Sequence, residues 1–345
     1  MAATVAPGLP LVGAAERARF HFVMRFSVAT SAAFVICEWM DWQPAALAAV
    51  LTGVLLANLP FSPPPKVGIG LVIIMAICAW MAFIFTTLLR ETPHILFGLI
   101  AVFLFLALSM LAQAKAQLPM TLLIVCFTVL PVMALTAPQV GEQLTSVFVR
   151  GMALAVIFTW VAFAIWPLPS PTPPGPPPAT TESPVAAAAI GTAIILPLML
   201  VYLMFGLTDA IPVLLTTALL VAKIEEERSA ATASAKLIGN FLGGFIAVPA
   251  YYAVEMWPNL TTLAIVTLVI GIGFGLQIVK GGVRGGNALL AYNATMVIFG
   301  LAILKGPANS GTWGARVVQF GIACTFAVGM MILLLPLARG RRAPR

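Results

Sequence analysis

The sequence predicts an all-α polytopic membrane protein with about twelve transmembrane helices, arranged as two parallel six-helix repeats. First, the 345-residue chain is 61% hydrophobic and 8% charged, with a mean hydropathy of +1.06. Second, apolar runs of roughly 20 residues, the length that crosses a bilayer core about 30 Å thick, recur along the chain. Third, each half contains one Asp-x-x-Pro tetrad that is followed at a distance by a lone arginine.

Backbone groups in lipid must be hydrogen-bonded within the chain, so each long apolar run is expected to be a helix. The first repeat, residues 1–166, has predicted spans at 21–40, 43–60, 67–89, 94–113, 118–137 and 145–166. The second repeat, residues 185–345, ends in a basic tail and has predicted spans at 185–206, 210–222, 229–254, 260–279, 286–304 and 316–337. Between the repeats, the Pro-rich segment 167–184 has no apolar face and is predicted to be a linker.

The basic residues predict the orientation, because the cytoplasmic loops of membrane proteins are enriched in Lys and Arg. With the N-terminus inside, 14 of the 18 Lys and Arg residues lie on the cytoplasmic side, Arg25 among them. The other four, on the periplasmic side, are Arg90, Arg150, Lys305 and Arg316. We therefore expect both termini and the linker to be cytoplasmic in a bacterial inner membrane.

The repeated Asp and Arg residues are the first candidates for a functional site. Asp41 and Asp209 begin the two tetrads, and Arg150 and Arg316 follow them after 109 and 107 residues. Charged side chains near hydrocarbon are costly, so a repeated pair indicates a function. One hypothesis is that the arginines bind an anionic substrate while the aspartates couple transport to proton uptake. The alternative is that each Asp caps its helix ahead of a first-turn Pro and each Arg extends to the lipid headgroups.

Further polar residues lie within the apolar runs. Asn287, Tyr292 and Asn293 fall in the eleventh predicted span, where they either line a substrate path or form interhelical hydrogen bonds. Lys66 and Lys236 occupy corresponding places near the cytoplasmic ends of the third and ninth spans. They either form an electropositive cytoplasmic vestibule or extend along the helix to the membrane surface.

Two patterns bear on how the helices pack. The ninth span carries small residues at every fourth position, which predicts close approach by another helix. These residues are Ala231, Ala235, Gly239, Gly243 and Ala247. The eighth span, 210–222, is short, and short segments at matching places in two halves are typical of transporter binding sites.

Several other classes of function are not expected. The four cysteines lie inside apolar runs without metal or redox spacing, and the chain has two histidines, so no metal site is predicted. The sequence contains no nucleophile–base set or paired carboxylates, so neither catalysis nor a cofactor is predicted. The basic residues behind the net charge of +7 lie in short loops. Nucleic acid is therefore not an expected partner, whereas membrane lipid is.

Three short motifs resemble the fusaric-acid-resistance and aromatic-acid-exporter superfamily, and in particular a compact bacterial branch of it. They are Arg25–Thr30 in the first span, Trp42–Leu47 at the start of the second and Lys236–Gly244 in the ninth. The superfamily is similar to the plant aluminium-activated malate transporters in its six-span unit. The resemblance implies efflux of organic, often aromatic, acids across the inner membrane, often with a periplasmic adaptor protein. Larger relatives have a cytoplasmic domain between or after the halves, where this chain has only the linker.

The sequence as a whole predicts an inner-membrane exporter of small organic anions that is driven by the proton gradient. An anion channel built on the same six-span unit and a non-transporting scaffold of an envelope complex are the alternatives. A major-facilitator-type carrier also has six plus six spans. However, the loop at 61–66 lacks the charged Gly-x-x-x-Asp-Arg pattern of that family.

Overall fold

The computed structural model describes residues 12–113, 116–136, 138–167, 184–204 and 230–305, and the single positions 214, 218, 329, 330 and 333. Within these ranges the chain forms ten helices and no strand. The helices are α1 (Val12–Trp39), α2 (Ala46–Asn58), α3 (Pro65–Leu88), α4 (Pro93–Ala112), α5 (Gln117–Thr136), α6 (Pro138–Ile165), α7 (Pro184–Met204), α8 (Ala230–Met256), α9 (Leu260–Ile278) and α10 (Gly282–Lys305).

Eight of the described helices, namely α1, α3 to α7, α9 and α10, are long and apolar enough to cross a membrane. Their outer surfaces are apolar as well. On α3, for example, Ile69, Ile73, Ile77 and Ile84 are each between 52% and 58% exposed. A stripe of exposed isoleucines along one helix face is suited to lipid tails rather than to water. The protein is therefore an all-α polytopic membrane protein that contacts membrane lipid.

Most predicted spans coincide with a helix, but two helices begin well before the predicted residue. α1 begins at residue 12 rather than 21, and α6 begins at residue 138 rather than 145. The extension of α1 includes the exposed residues Glu16, Arg17 and Arg19, which favour helix and carry it beyond the apolar run. The predicted spans at 210–222 and 316–337, and nearly all of the linker, lie outside the described residues, apart from single positions within the two spans.

The second predicted span, 43–60, is wrong in length. The helix there, α2, has 13 residues, so it is about 20 Å long and shorter than a bilayer core of about 30 Å. Ten of its residues are buried, because α2 packs against α1, α6 and α10. The turn before it and the segment 59–64 after it, which contains Pro60, Pro63 and Pro64, are not helical. α2 is thus a short helix in the interior of the bundle.

The described helices pair in a pattern that occurs twice. α1 packs on α9, and α7 packs on α4 in the corresponding way. α5 packs on α3 and on α4, and α10 packs on α8 and on α9. Apolar side chains from these pairs join in one hydrophobic core that also includes α2 and α6.

Contacts along α1 give the relative directions of its neighbours. His21 Nδ1 lies 2.9 Å from the carbonyl oxygen of Pro167, which follows α6, so the start of α1 lies beside the end of α6. The rings of Phe26 and Tyr292 have centroids 4.8 Å apart, so the middle of α1 meets α10. Phe34 meets Phe299 further along both helices. α1 is therefore antiparallel to α6 and parallel to α10, and we call its two ends the His21 end and the Trp39 end.

Two glycines allow especially close helix contacts. A Cβ atom at Gly271 of α9 would lie 2.8 Å from the Cα atom of Ser27 on α1. A Cβ atom at Gly243 of α8 would collide with the carbonyl oxygen of Ala291 on α10. Gly243 and the fully buried Ala247 confirm the predicted close contact along the small-residue stripe of the ninth span. The side chains at 231, 235 and 239 lie outside the described residues.

Candidate functional site

Arg25 is a buried cation inside a membrane-spanning helix. It lies 14 residues before the end of α1, and its side chain is only 3% exposed. Its Cζ atom lies 4.4 Å from the centroid of the Phe163 ring on α6, so the guanidinium faces an aromatic ring. Its Nη1 atom is buried and has no hydrogen-bond partner among the described residues. The positive-inside pattern predicts Arg25 on the cytoplasmic side, whereas the structure buries its side chain within the bundle.

Tyr292, one of the predicted substrate-binding residues, is a packed core residue. It is 1% exposed, and the edge of its ring meets Phe26 on α1 and Phe274 on α9. Its hydroxyl interacts with Thr30, whose own hydroxyl donates to the Phe26 carbonyl oxygen at 2.7 Å. Tyr292 therefore joins three helices, and its polar group already has a partner.

Asn287 and Asn293, also predicted from the sequence, lie on α10 with unpartnered oxygens. In both residues the Oδ1 atom is buried and has no hydrogen-bond partner within the described chain. Asn293 is 2% exposed. Gly300, which is seven residues beyond Asn293 and so on the same helix face, packs against Ala46 of α2. A buried amide oxygen without a partner is costly, so these two positions are not explained by packing.

The heights of these residues in the bundle follow from the contacts of α1 with α10. Phe26 meets Tyr292, so Arg25 lies at nearly the same height as Tyr292. Asn287 is five residues, or about 7.5 Å, nearer the His21 end. The buried guanidinium and the two amides thus fall within roughly two helical turns of one another in height.

Asp41 does not cap the second helix, so the capping alternative is wrong for this residue. The N-cap of α2 is Ala45, and no side chain caps that helix. Asp41 instead closes α1, because its φ angle is 54° and its N–H donates to the Glu38 carbonyl oxygen at 3.1 Å. The N–H of Trp42 donates to the Cys37 carbonyl oxygen at 2.8 Å, which completes a Schellman motif.

Arg150 lies at the Trp39 end of the bundle, close to Asp41 in position but not paired with it. The Arg150 side chain is exposed, and its Cζ atom lies 5.4 Å from the centroid of the Trp42 ring. No ion pair joins Arg150 to Asp41 in the described part of the chain. Asp209 and Arg316, their predicted counterparts, lie outside the described residues.

Glu38, which sequence analysis did not single out, has one satisfied and one unsatisfied oxygen. Its Oε2 atom accepts a hydrogen bond from Gln43 Nε2 at 3.1 Å. The Gln43 side-chain oxygen in turn accepts from the N–H of Ala45, the N-cap residue of α2, at 3.3 Å. Oε1 of Glu38 is buried and has no partner among the described residues. Glu38 and Gln43 thereby connect the end of α1 to the start of α2.

The two lysines of the predicted vestibule lie near the starts of their helices. Lys66 follows Pro65 at the start of α3 and is exposed. The indole N–H of Trp160 on α6 donates to the Pro63 carbonyl oxygen at 2.8 Å, which places this end of α3 near the His21 end. Lys236 lies near the start of α8, and its side chain lies outside the described residues.

Residues 23–162 match the model of a membrane protein family described as "Protein of unknown function (DUF2955)". No curated protein and no solved structure matches the chain. The matched segment runs from α1 to α6 and includes Arg25, Glu38, Asp41 and Arg150. The resemblance to the fusaric-acid-resistance superfamily stays a prediction.

Proposed function

We propose that the protein is an inner-membrane exporter of small organic anions that is driven by the proton gradient. The observation that carries the proposal is the pair of unpartnered amide oxygens on α10. Asn287 and Asn293 place buried, unsatisfied polar groups at two heights of a membrane-spanning helix. Polar groups inside a membrane bundle are costly, and those without a protein partner are typical of a path for a polar substrate.

The position of α2 beside these amides supports the same proposal. A Cβ atom at Gly53 of α2 would lie 3.0 Å from the Tyr292 ring, so α2 contacts the polar part of α10. Discontinuous or short helices in the interior form the substrate sites of many secondary transporters. α2 has this character, since it is 13 residues long and mostly buried.

The repeated helix pairing supports the twelve-span, two-repeat architecture within this proposal. α1, α4, α7 and α9 are the first, fourth, seventh and tenth predicted spans. When each span number is shifted by six, the contact of the first span with the tenth becomes the contact of the seventh with the fourth. The contact of α3 with α5, the third and fifth spans, becomes by the same shift that of α8 with α10, the ninth and eleventh spans. The directions of α6 and α10 relative to α1 are also those expected for the sixth and eleventh spans.

The distribution of exposed charge supports a cytoplasmic location for the His21 end. Arg17 and Arg19 at the start of α1 and Lys66 at the start of α3 are exposed at this end. At the opposite end, Trp39 is 71% exposed and Trp257 is 67% exposed, as expected for an interfacial aromatic belt. Arg150, with Arg316, would then meet the anion near the periplasmic side. A periplasmic adaptor follows from the resemblance alone.

Reconstitution of the purified full-length protein into liposomes tests this function. Liposomes are loaded with labelled benzoate, an aromatic monocarboxylate, or with malate, an aliphatic dicarboxylate. We expect release of at least one anion to rise when the outside is made acidic, because protons enter as the anion leaves. Release that follows an electrical potential and ignores the pH gradient would favour the channel. Release no faster than from protein-free liposomes would favour the scaffold and overturn the proposal.

A further inference from the structure

We propose that Arg25 is an oxyanion-binding site that receives the charged group of the transported anion. This inference rests on the proposed function for the identity of its ligand. The site itself rests on the burial and the missing partner of the Arg25 side chain. Its ligand is a carboxylate or a phosphate group, the two anions whose geometry matches the fork of a guanidinium.

The described part of the protein does not neutralise the charge of Arg25. Arginine stays protonated at all accessible pH values, so burial cannot be relieved by loss of a proton. No carboxylate of the described residues forms an ion pair with Arg25, and its Nη1 atom has no acceptor. A buried cation of this kind in a membrane helix is retained for a ligand more readily than for stability.

The Arg25 side chain does not reach the surface of the helix bundle. A basic residue that snorkels keeps its charged end in water, whereas the Arg25 side chain is 3% exposed. Arg25 lies about 21 Å below Trp39 along α1, which places it inside a hydrocarbon layer about 30 Å thick. Arg150 provides the contrast, because it lies beside Trp42, 13 residues before Phe163 on α6, and is exposed.

Phe163 also orients the Arg25 side chain. The ring of Phe163 is itself 8% exposed and contacts the guanidinium from α6 at 4.4 Å from its centroid. A ring on one face of the guanidinium leaves the N–H groups at its edge free to bind an oxyanion bidentately. The α1–α6 contact thus positions the cation as well as burying it.

Ligand-dependent thermal stabilisation of the purified full-length protein tests the site without relying on transport. The protein is heated in a neutral detergent with benzoate, malate or inorganic phosphate, and separately with an anionic phospholipid. We expect at least one free anion to stabilise the wild-type protein. For Arg25→Gln we expect binding of that anion to be about 10- to 100-fold weaker, the loss that follows from removing a charge-assisted hydrogen bond. Arg90→Gln, which removes an exposed arginine that has no part in the proposed site, should bind as the wild type does.

Two further variants keep the test decisive where Arg25→Gln fails to fold. Arg25→Lys retains the charge but not the fork, and should bind roughly tenfold more weakly than the wild type. Phe163→Leu retains the arginine and removes the ring face, and should also bind more weakly. Wild-type binding in either Arg25 variant, or no stabilisation of the wild type by any free anion, would overturn the inference. Stabilisation by the phospholipid alone would assign the site to a lipid headgroup and overturn it as a substrate site.

The outcomes separate this inference from the proposed function. If the wild type transports anions and Arg25→Gln transports them equally well, the export function stands and the Arg25 site fails. If the wild type binds an anion through Arg25 but does not release anions from liposomes, the site stands and the export function fails.

Discussion

α5 and α10 hold corresponding places in the helix pairing, yet their interiors differ in chemistry. α5 packs on α3 and α4, and α10 packs on α8 and α9. The buried positions of α5 are apolar with the exception of Thr128, whose hydroxyl donates to the Ile124 carbonyl oxygen at 2.6 Å. A buried helix in this position therefore needs no unsatisfied polar group in order to pack.

α10 buries polar side chains where α5 buries apolar ones. Thr295 donates to the carbonyl oxygens of Gly243 and Ala291, both at 2.8 Å, and so ties α10 to α8. Tyr292 also has a partner, but Asn293 leaves its oxygen unpaired. The difference teaches that the polarity of α10 exceeds what its packing requires. Under the proposed function, this excess polarity is the reason to place the substrate path beside α10 rather than beside α5.

The largest effect is expected when α5 is made polar like α10. Ile124→Asn places an unpartnered amide at a fully buried site and removes apolar contacts. We expect it to lower the free energy of unfolding by about 2–4 kcal/mol. Unfolding in detergent measures the change, and Ile124→Val, expected to cost about 1 kcal/mol, is the control. Wild-type stability in Ile124→Asn would show that this position tolerates polarity, which would remove the contrast with α10.

The next effect concerns the close contact of α1 with α9. Gly271→Ala brings a Cβ atom to 2.8 Å from the Ser27 Cα atom, whereas Gly273→Ala meets nothing within 4 Å. Both changes raise helix propensity equally, so their difference isolates the clash. We expect Gly271→Ala to be less stable than Gly273→Ala by about 1–3 kcal/mol in the same unfolding assay. Equal stabilities would mean that the helices separate freely at this point.

A smaller change in stability is expected when α10 is made apolar like α5. Asn293→Leu removes an unpaired buried oxygen, so its free energy of unfolding should stay within about 1 kcal/mol of the wild type or exceed it. Anion release from liposomes should nevertheless fall. These two measurements together sharpen the comparison, because a merely structural asparagine would lose stability and transport in parallel. Normal release in a stable Asn293→Leu protein would count against a substrate path along α10.

The smallest change in stability is expected at Asp41, which lies outside the buried faces of α5 and α10. Asn is favoured where Asp41 closes α1 with a positive φ angle, so Asp41→Asn should alter stability by no more than a few tenths of a kcal/mol. If Asp41 couples transport to protons, the variant loses the response of anion release to the pH gradient. An unchanged response would remove Asp41 from the coupling mechanism and direct attention to Glu38, whose unpaired oxygen lies in the same segment.

The candidate site was predictable only in part. Asn287 and Asn293 could be found because polar residues inside a long apolar run are conspicuous in the sequence. The same signal also selected Tyr292, which is a packed core residue. Arg25 could not, because an arginine near the start of such a run has the same local pattern whether it faces water or a neighbouring helix. Its burial depends on Phe163, which is 138 residues away in the chain.

The sequence by itself determined that the chain forms apolar helices in a membrane, because hydropathy and length act locally on each segment. It also determined where small residues allow close contact, as at Gly243. The tertiary structure alone decided that α2 is a short interior helix, that Asp41 ends α1 instead of capping α2, and which polar atoms lack a partner. These properties depend on what other helices place beside each residue, and contacts between distant segments have no fixed signature in the chain.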